Sequence, residues 1–180
     1  MRKFFANRLR LFRRDENGAA LMLEFVIFVP LLFTSFLMAV EMSVYTMRSM
    51  MLDRGTDIAV RAIRLNTGTP QITHEWVKDT ICRNAGWLEE CDEQLKLEMV
   101  TVDPRNFAAL DQTPDCVDVT QDPDPVRGFA LGQQHEMMLM RACVRFKPVF
   151  PTSGLGRAFD KDVEGRAKMI SVTAFVQEPT

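Results

Sequence analysis

Histidine is scarce in this chain, with two among 180 residues, His74 and His135. Each is followed by glutamate, as in the zinc-binding pattern H-E-x-x-H. The fifth positions are Lys78 and Leu139, however, so neither stretch offers a second imidazole on one helix face. The sequence also has no C-x-x-C, no G-x-S-x-G and no phosphate-cradling glycine loop; Gly154-Leu155-Gly156-Arg157 is too short and lacks the following glycine. Asp111, Asp115, Asp118, Asp122 and Asp124 share one stretch without the spacing of a calcium-binding hand loop, so solvated loop acids are expected there. The expectation is a non-catalytic protein with no cofactor and no metal.

Two further absences organise the chain. Charge is almost missing from Ala19 to Val40, AALMLEFVIFVPLLFTSFLMAV, where Glu24 is the only ionisable residue. As a helix this run measures about 33 Å, against a hydrocarbon layer of about 30 Å, which predicts one membrane crossing over residues 19–41. A carboxylate at mid-bilayer costs about 2.5 to 3.5 kcal/mol, so Glu24 requires a partner or access to the interface. Proline is missing between Pro30 and Pro70, and Met42, Tyr45, Met47, Met51, Ile58, Ala62 and Leu65 recur largely at helical spacing. One helix of about 72 Å is therefore expected from near Ala19 to near Asn66, with Gly55 as its weak point and Asn66-Thr67-Gly68 as its stop.

Residues 1–18 carry Arg2, Lys3, Arg8, Arg10, Arg13 and Arg14 against Asp15 and Glu16, and positive flanks stay cytoplasmic. This predicts a basic cytoplasmic leader and an exported remainder. An ordinary secretory signal has a shorter core and a small-x-small cleavage site. Here the apolar run passes into Glu41-Met42-Ser43-Val44 without one. Beyond Glu41 the chain has 16 Lys and Arg against 20 Asp and Glu, a mildly acidic balance that argues against nucleic acid as a partner.

The exported part is long enough for one modest domain. The expected layout is a leader (1–18), a transmembrane helix (19–41), a helix extension (42–68) and an α+β head (69–180). In the head, Ile72, Trp76, Val77 and Ile81 mark a helix over Thr73–Ala85 ended by Gly86. Strands are expected at Leu95–Val102, Met138–Phe146 and Ala167–Gln177, with a helical turn from Asp103-Pro104 to Leu110, a loop over Asp111–Gln133 and an irregular connection over Pro148–Asp160. Three strands in this order suggest an antiparallel meander packed on the spine helix. All four cysteines, Cys82, Cys91, Cys116 and Cys143, follow the apolar run, and an even count in an exported region reads as two disulfides. Three pairings exist; we favour Cys82 with Cys91, closing a short loop, and Cys116 with Cys143, tying the Pro-rich loop to a strand.

A basic leader, then Asp15-Glu16-Asn17-Gly18, Glu24-Phe25 early in the apolar segment, Pro30, and Glu41 near its end resembles the TadE-like pseudopilins of tight-adherence pilus systems over about residues 13–66. The resemblance implies a pilin-like fold and cleavage by a prepilin peptidase around Gly18, Ala19 and Ala20. It also implies a role for Glu24 and Phe25 in assembly, since in that family a glutamate at the fifth mature position supports it. Five residues separate Gly18 from Glu24 where the family pattern has four, so cutting after Ala19 rather than Gly18 makes Glu24 the fifth residue. Implied partners are the prepilin peptidase, pilin and other pseudopilin subunits, and the inner-membrane assembly platform. The implied location is the bacterial inner membrane, with a cytoplasmic N-terminus and a periplasmic head. Two readings follow: a minor pseudopilin that enters or primes a filament, and a membrane-anchored periplasmic domain with its own ligand-binding or enzymatic task.

Overall fold

A computed structural model describes residues 17–65, 72–105, 116, 128–152 and 154–178. Leader residues 1–16, the expected helix stop at Asn66-Thr67-Gly68, the turn beyond Arg105 and the acids Asp111, Asp115, Asp118, Asp122 and Asp124 lie outside the described residues, whereas Asn17 and Gly18 of the expected leader already belong to the first helix. Helix α1 (Asn17–Leu65) runs unbroken for 49 residues through Pro30. Proline removes the N–H that would pair with the carbonyl four residues back. The hydroxyls nearby fold onto the helix: Thr34 donates to the Pro30 carbonyl at 2.9 Å, Ser35 to Leu32 at 2.8 Å and Ser43 to Ala39 at 2.8 Å. Polar side chains on an apolar helix are thereby satisfied without solvent.

Helix α2 (His74–Asn84) is capped by Thr73, whose side chain accepts the Trp76 N–H at 3.2 Å. Its buried residues Val77, Thr80 and Ile81 face α1. Gly55 is the reason the two helices approach closely. A Cβ at Gly55 would lie 2.7 Å from the Ile81 carbonyl oxygen, so the position expected to weaken the helix is a packing site. A one-turn helix α3 (Cys91–Gln94), not anticipated from the chain, follows and is bridged to α2 through Cys82–Cys91.

Strands β1 (Lys96–Thr101), β2 (Met137–Phe146) and β3 (Ala167–Val176) form an antiparallel sheet in the order β1-β2-β3. Registers such as Met99 opposite Met140 and Met140 opposite Thr173 put Leu97, Met99, Met138, Met140, Val144, Met169 and Phe175 on one face. That face meets Leu52, Ala59 and Ile63 of α1 in the core. Within the stretch expected as loop, Phe129 bridges Met99 and extends the β1 edge. A short helix α4 (Gly154–Ala158) packs on α1. A Cβ on its buried Gly156 would collide with the Phe150 carbonyl. The protein is thus α+β, a long apolar N-terminal helix bearing a small three-stranded antiparallel sheet.

Candidate interaction surface

Helix α1 divides into a bare half and a clad half. From Leu21 to Phe36 the exposed large apolar side chains are 55% to 74% accessible, and consecutive ones such as Phe25, Val26, Ile27 and Phe28 point in every direction. A helix apolar all round belongs in a protein core or a membrane, and none of the described chain covers this one. By length and composition it is able to cross a bilayer. Gly18 lies in its first turn with open space around it, Ala19 and Ala20 continue the helix, and Glu24 and Phe25 stand exposed on the bare half.

The clad half begins at Met38, which sits against Gly154. Three residues on, Glu41 is 2% exposed, and its carboxylate accepts the backbone N–H groups of Val149 at 3.1 Å and Phe150 at 2.7 Å. Tyr45 packs in an aromatic cluster with Phe146 and Phe159, and Arg48 lies over the Phe146 ring while donating to the Lys147 carbonyl at 2.8 Å. Further along, buried Thr56 and Ser171 hydroxyls meet at 3.0 Å, Gln177 donates to the Ile63 carbonyl, and Arg64 pairs with Glu178 at 2.8 Å. Polar joints thus recur along the helix from residue 41 to 64. On its outer side Met42, Met47 and Met50 remain exposed, followed by Asp53, Arg54, Asp57 and Arg61.

The outward sheet face carries a buried ion pair, Glu98 with Arg141 at 2.9 Å on adjacent strands, beside Cys143 with its bridge to Cys116. At the lower end, Arg145 pairs with Asp162 at 2.8 Å. Arg166 lies between Glu90 at 2.6 Å and Glu164 at 3.1 Å. The hydrogen bond that Arg166 donates to the Glu90 carboxylate raises the guanidinium above its ordinary value against the opposing effect of burial, so it stays charged throughout the physiological range. Along the free side of β3 an open groove of about 460 Å³ is lined by Asp57, Arg61, Arg64, Thr173, Phe175 and Glu178.

His74 packs edge-on to Phe129 at 5.3 Å, and His135 occupies a turn with a left-handed backbone, far from helical geometry. Among the described residues no three His, Cys, Asp or Glu side chains converge as a metal site. Sequence reasoning missed Glu41, Glu98 and Arg141 as structural groups. The available signals were an acid directly at the end of an apolar run, and charges of opposite sign, Glu98 and Arg141, flanked by apolar residues inside two strands. No family model, curated protein or solved structure matches this chain.

Proposed function

We propose that this protein is a membrane-anchored, TadE-like minor pseudopilin that contributes to the assembly or priming of a tight-adherence pilus and is not catalytic. The observation that carries the reading is the bare half of α1, an all-round apolar helix with one carboxylate, Glu24, that the head leaves uncovered. In this reading the basic leader holds the N-terminus in the cytoplasm, and a prepilin peptidase cuts after Gly18 or Ala19. The new α-amino group of one subunit then meets Glu24 of its neighbour, since either charge is costly alone in apolar surroundings. Pilin and other pseudopilin subunits pack along the helix, including the exposed Met42, Met47 and Met50, and the inner-membrane platform receives the assembly.

Intact-mass measurement on protein from native membranes tests the reading, with loss of the leader up to Gly18 or Ala19 as the expected result. Recovery of the uncut chain as the functional species overturns it. Glu24→Gln is expected to insert normally, because removing a charge makes the span more apolar, yet to lose piliation. Crosslinks from Met47→Cys or Met50→Cys should join the chain to a pilin-like partner or to itself.

A further inference from the structure

The underside of the head, formed by Lys147 to Thr152 and Gly154 to Arg157, is held at a defined height along α1. Glu41 accepts the Val149 and Phe150 N–H groups, Arg48 donates to the Lys147 carbonyl, and a Cβ on Gly154 would lie 2.6 Å from Cγ of Met38. Helical side chains lean toward the N-terminus, so the Glu41 carboxylate and the loop that it holds lie beside the turn preceding Glu41. That turn closes the apolar run. The outer side of the loop presents Val149, 44% exposed, and Pro151, with Leu155 half-buried; Lys147 and Arg157 are exposed around them, as are the acids Asp160 and, lining a pocket with Lys147, Glu89 and Glu90. An apolar tip flanked by cations suits the boundary between acyl chains and headgroups. The loop also satisfies much of its own backbone internally. Besides the two bonds to Glu41, Lys161 Nζ donates to the Pro151 and Gly156 carbonyls at 2.7 and 2.8 Å. Non-helical backbone near a bilayer requires such internal pairing.

We propose that this underside is a lipid-contact surface. The head rests on the headgroup layer of the bilayer that holds α1, with Val149, Pro151 and Leu155 at the acyl boundary and Lys147 and Arg157 among the phosphates. The inference rests on the reading of α1 as a membrane span. Because the Glu41 joint and the shared core fix the head on α1, this contact sets the tilt of helix and head together in the bilayer.

The test uses the full chain in phospholipid vesicles, with a nitroxide on single added cysteines at Val149→Cys and, as a second site, Leu155→Cys. The described cysteines are all disulfide-bonded, so the label reports the added site once both bridges are verified. Phe33→Cys on the bare helix and Val172→Cys on the outward sheet face serve as references. Expected are a Phe33 label open to oxygen and shielded from a water-soluble nickel chelate, and a Val172 label open to the chelate. The Val149 and Leu155 labels should fall between, with reduced chelate access. Chelate access equal to that at Val172, with Phe33 still shielded, overturns the proposal and leaves the span intact. An unshielded Phe33 overturns both. Shielding of Val149 from oxygen and chelate together, with dipolar broadening between labels, assigns the surface to a second copy of the chain and also overturns lipid contact.

Discussion

The Glu41 side chain and the Phe150 backbone, 109 residues apart in the chain, are joined by an N–H to carboxylate hydrogen bond of 2.7 Å. The same carboxylate takes the Val149 N–H, so one side chain at the end of the apolar run holds two successive peptide groups of the head. A helix and a distal loop are thereby joined at the point where the bare half of α1 gives way to the clad half.

Glu41→Ala is expected to lower head stability by about 1 to 3 kcal/mol, because two partly buried N–H donors lose a charged acceptor. Glu41→Gln should cost less, since its amide oxygen still accepts one bond. Urea unfolding of the full chain in detergent, followed by tryptophan emission, measures both. An unchanged midpoint for Glu41→Ala would show that the loop is held by packing alone.

Gly55→Ala sets two opposing effects against each other. Alanine gains about 1 kcal/mol of helix propensity, whereas overpacking typically costs about 1 to 3 kcal/mol. The atom that a Cβ would meet is the Ile81 carbonyl oxygen, backbone of another helix that cannot rotate aside, so the loss should win. A lower thermal midpoint is the expected result, and Gly55→Leu should lower it further. A higher midpoint would mean that α2 shifts at little cost.

The buried Glu98–Arg141 pair should behave asymmetrically in a double-mutant cycle. Arg141→Met alone leaves a buried carboxylate and is expected to cost about 3 to 5 kcal/mol, whereas Glu98→Leu with Arg141→Met should return close to the parent. Additive losses measured by denaturant unfolding would refute the coupling.

The two disulfides should differ in worth by loop length. Cys116–Cys143 spans a separation of 27 residues and Cys82–Cys91 one of 9. In the chain-entropy account the longer loop is worth about 1 kcal/mol more. Thermal midpoints of the two paired Cys→Ser variants compare them directly, and a larger loss from the Cys82 pair would assign that bridge an additional role in positioning α3.

Much of the fold was legible along the chain because it is written in local periodicity. Long proline-free spacing marked α1, Thr73 and Gly86 bracketed α2, and alternation in LKLEMVTV and around Met138 and Ala167 marked the strands. The favoured cysteine pairs are also the ones joined in the structure, since a short loop and a loop-to-strand tie leave little freedom of geometry. The bare half with Glu24 was visible for the same reason: an uncharged run records its own need for an apolar environment. Tertiary structure alone decided which face of α1 the head covers, why Gly55 is small, and where Glu41, Glu98 and Arg141 find their partners. Those contacts span separations from 26 residues between Gly55 and Ile81 to 109 between Glu41 and Phe150, and their partners are brought together only once strand register and helix crossing exist. Periodicity reports which side of an element is apolar; it carries no record of which distant backbone will stand opposite a single buried charge.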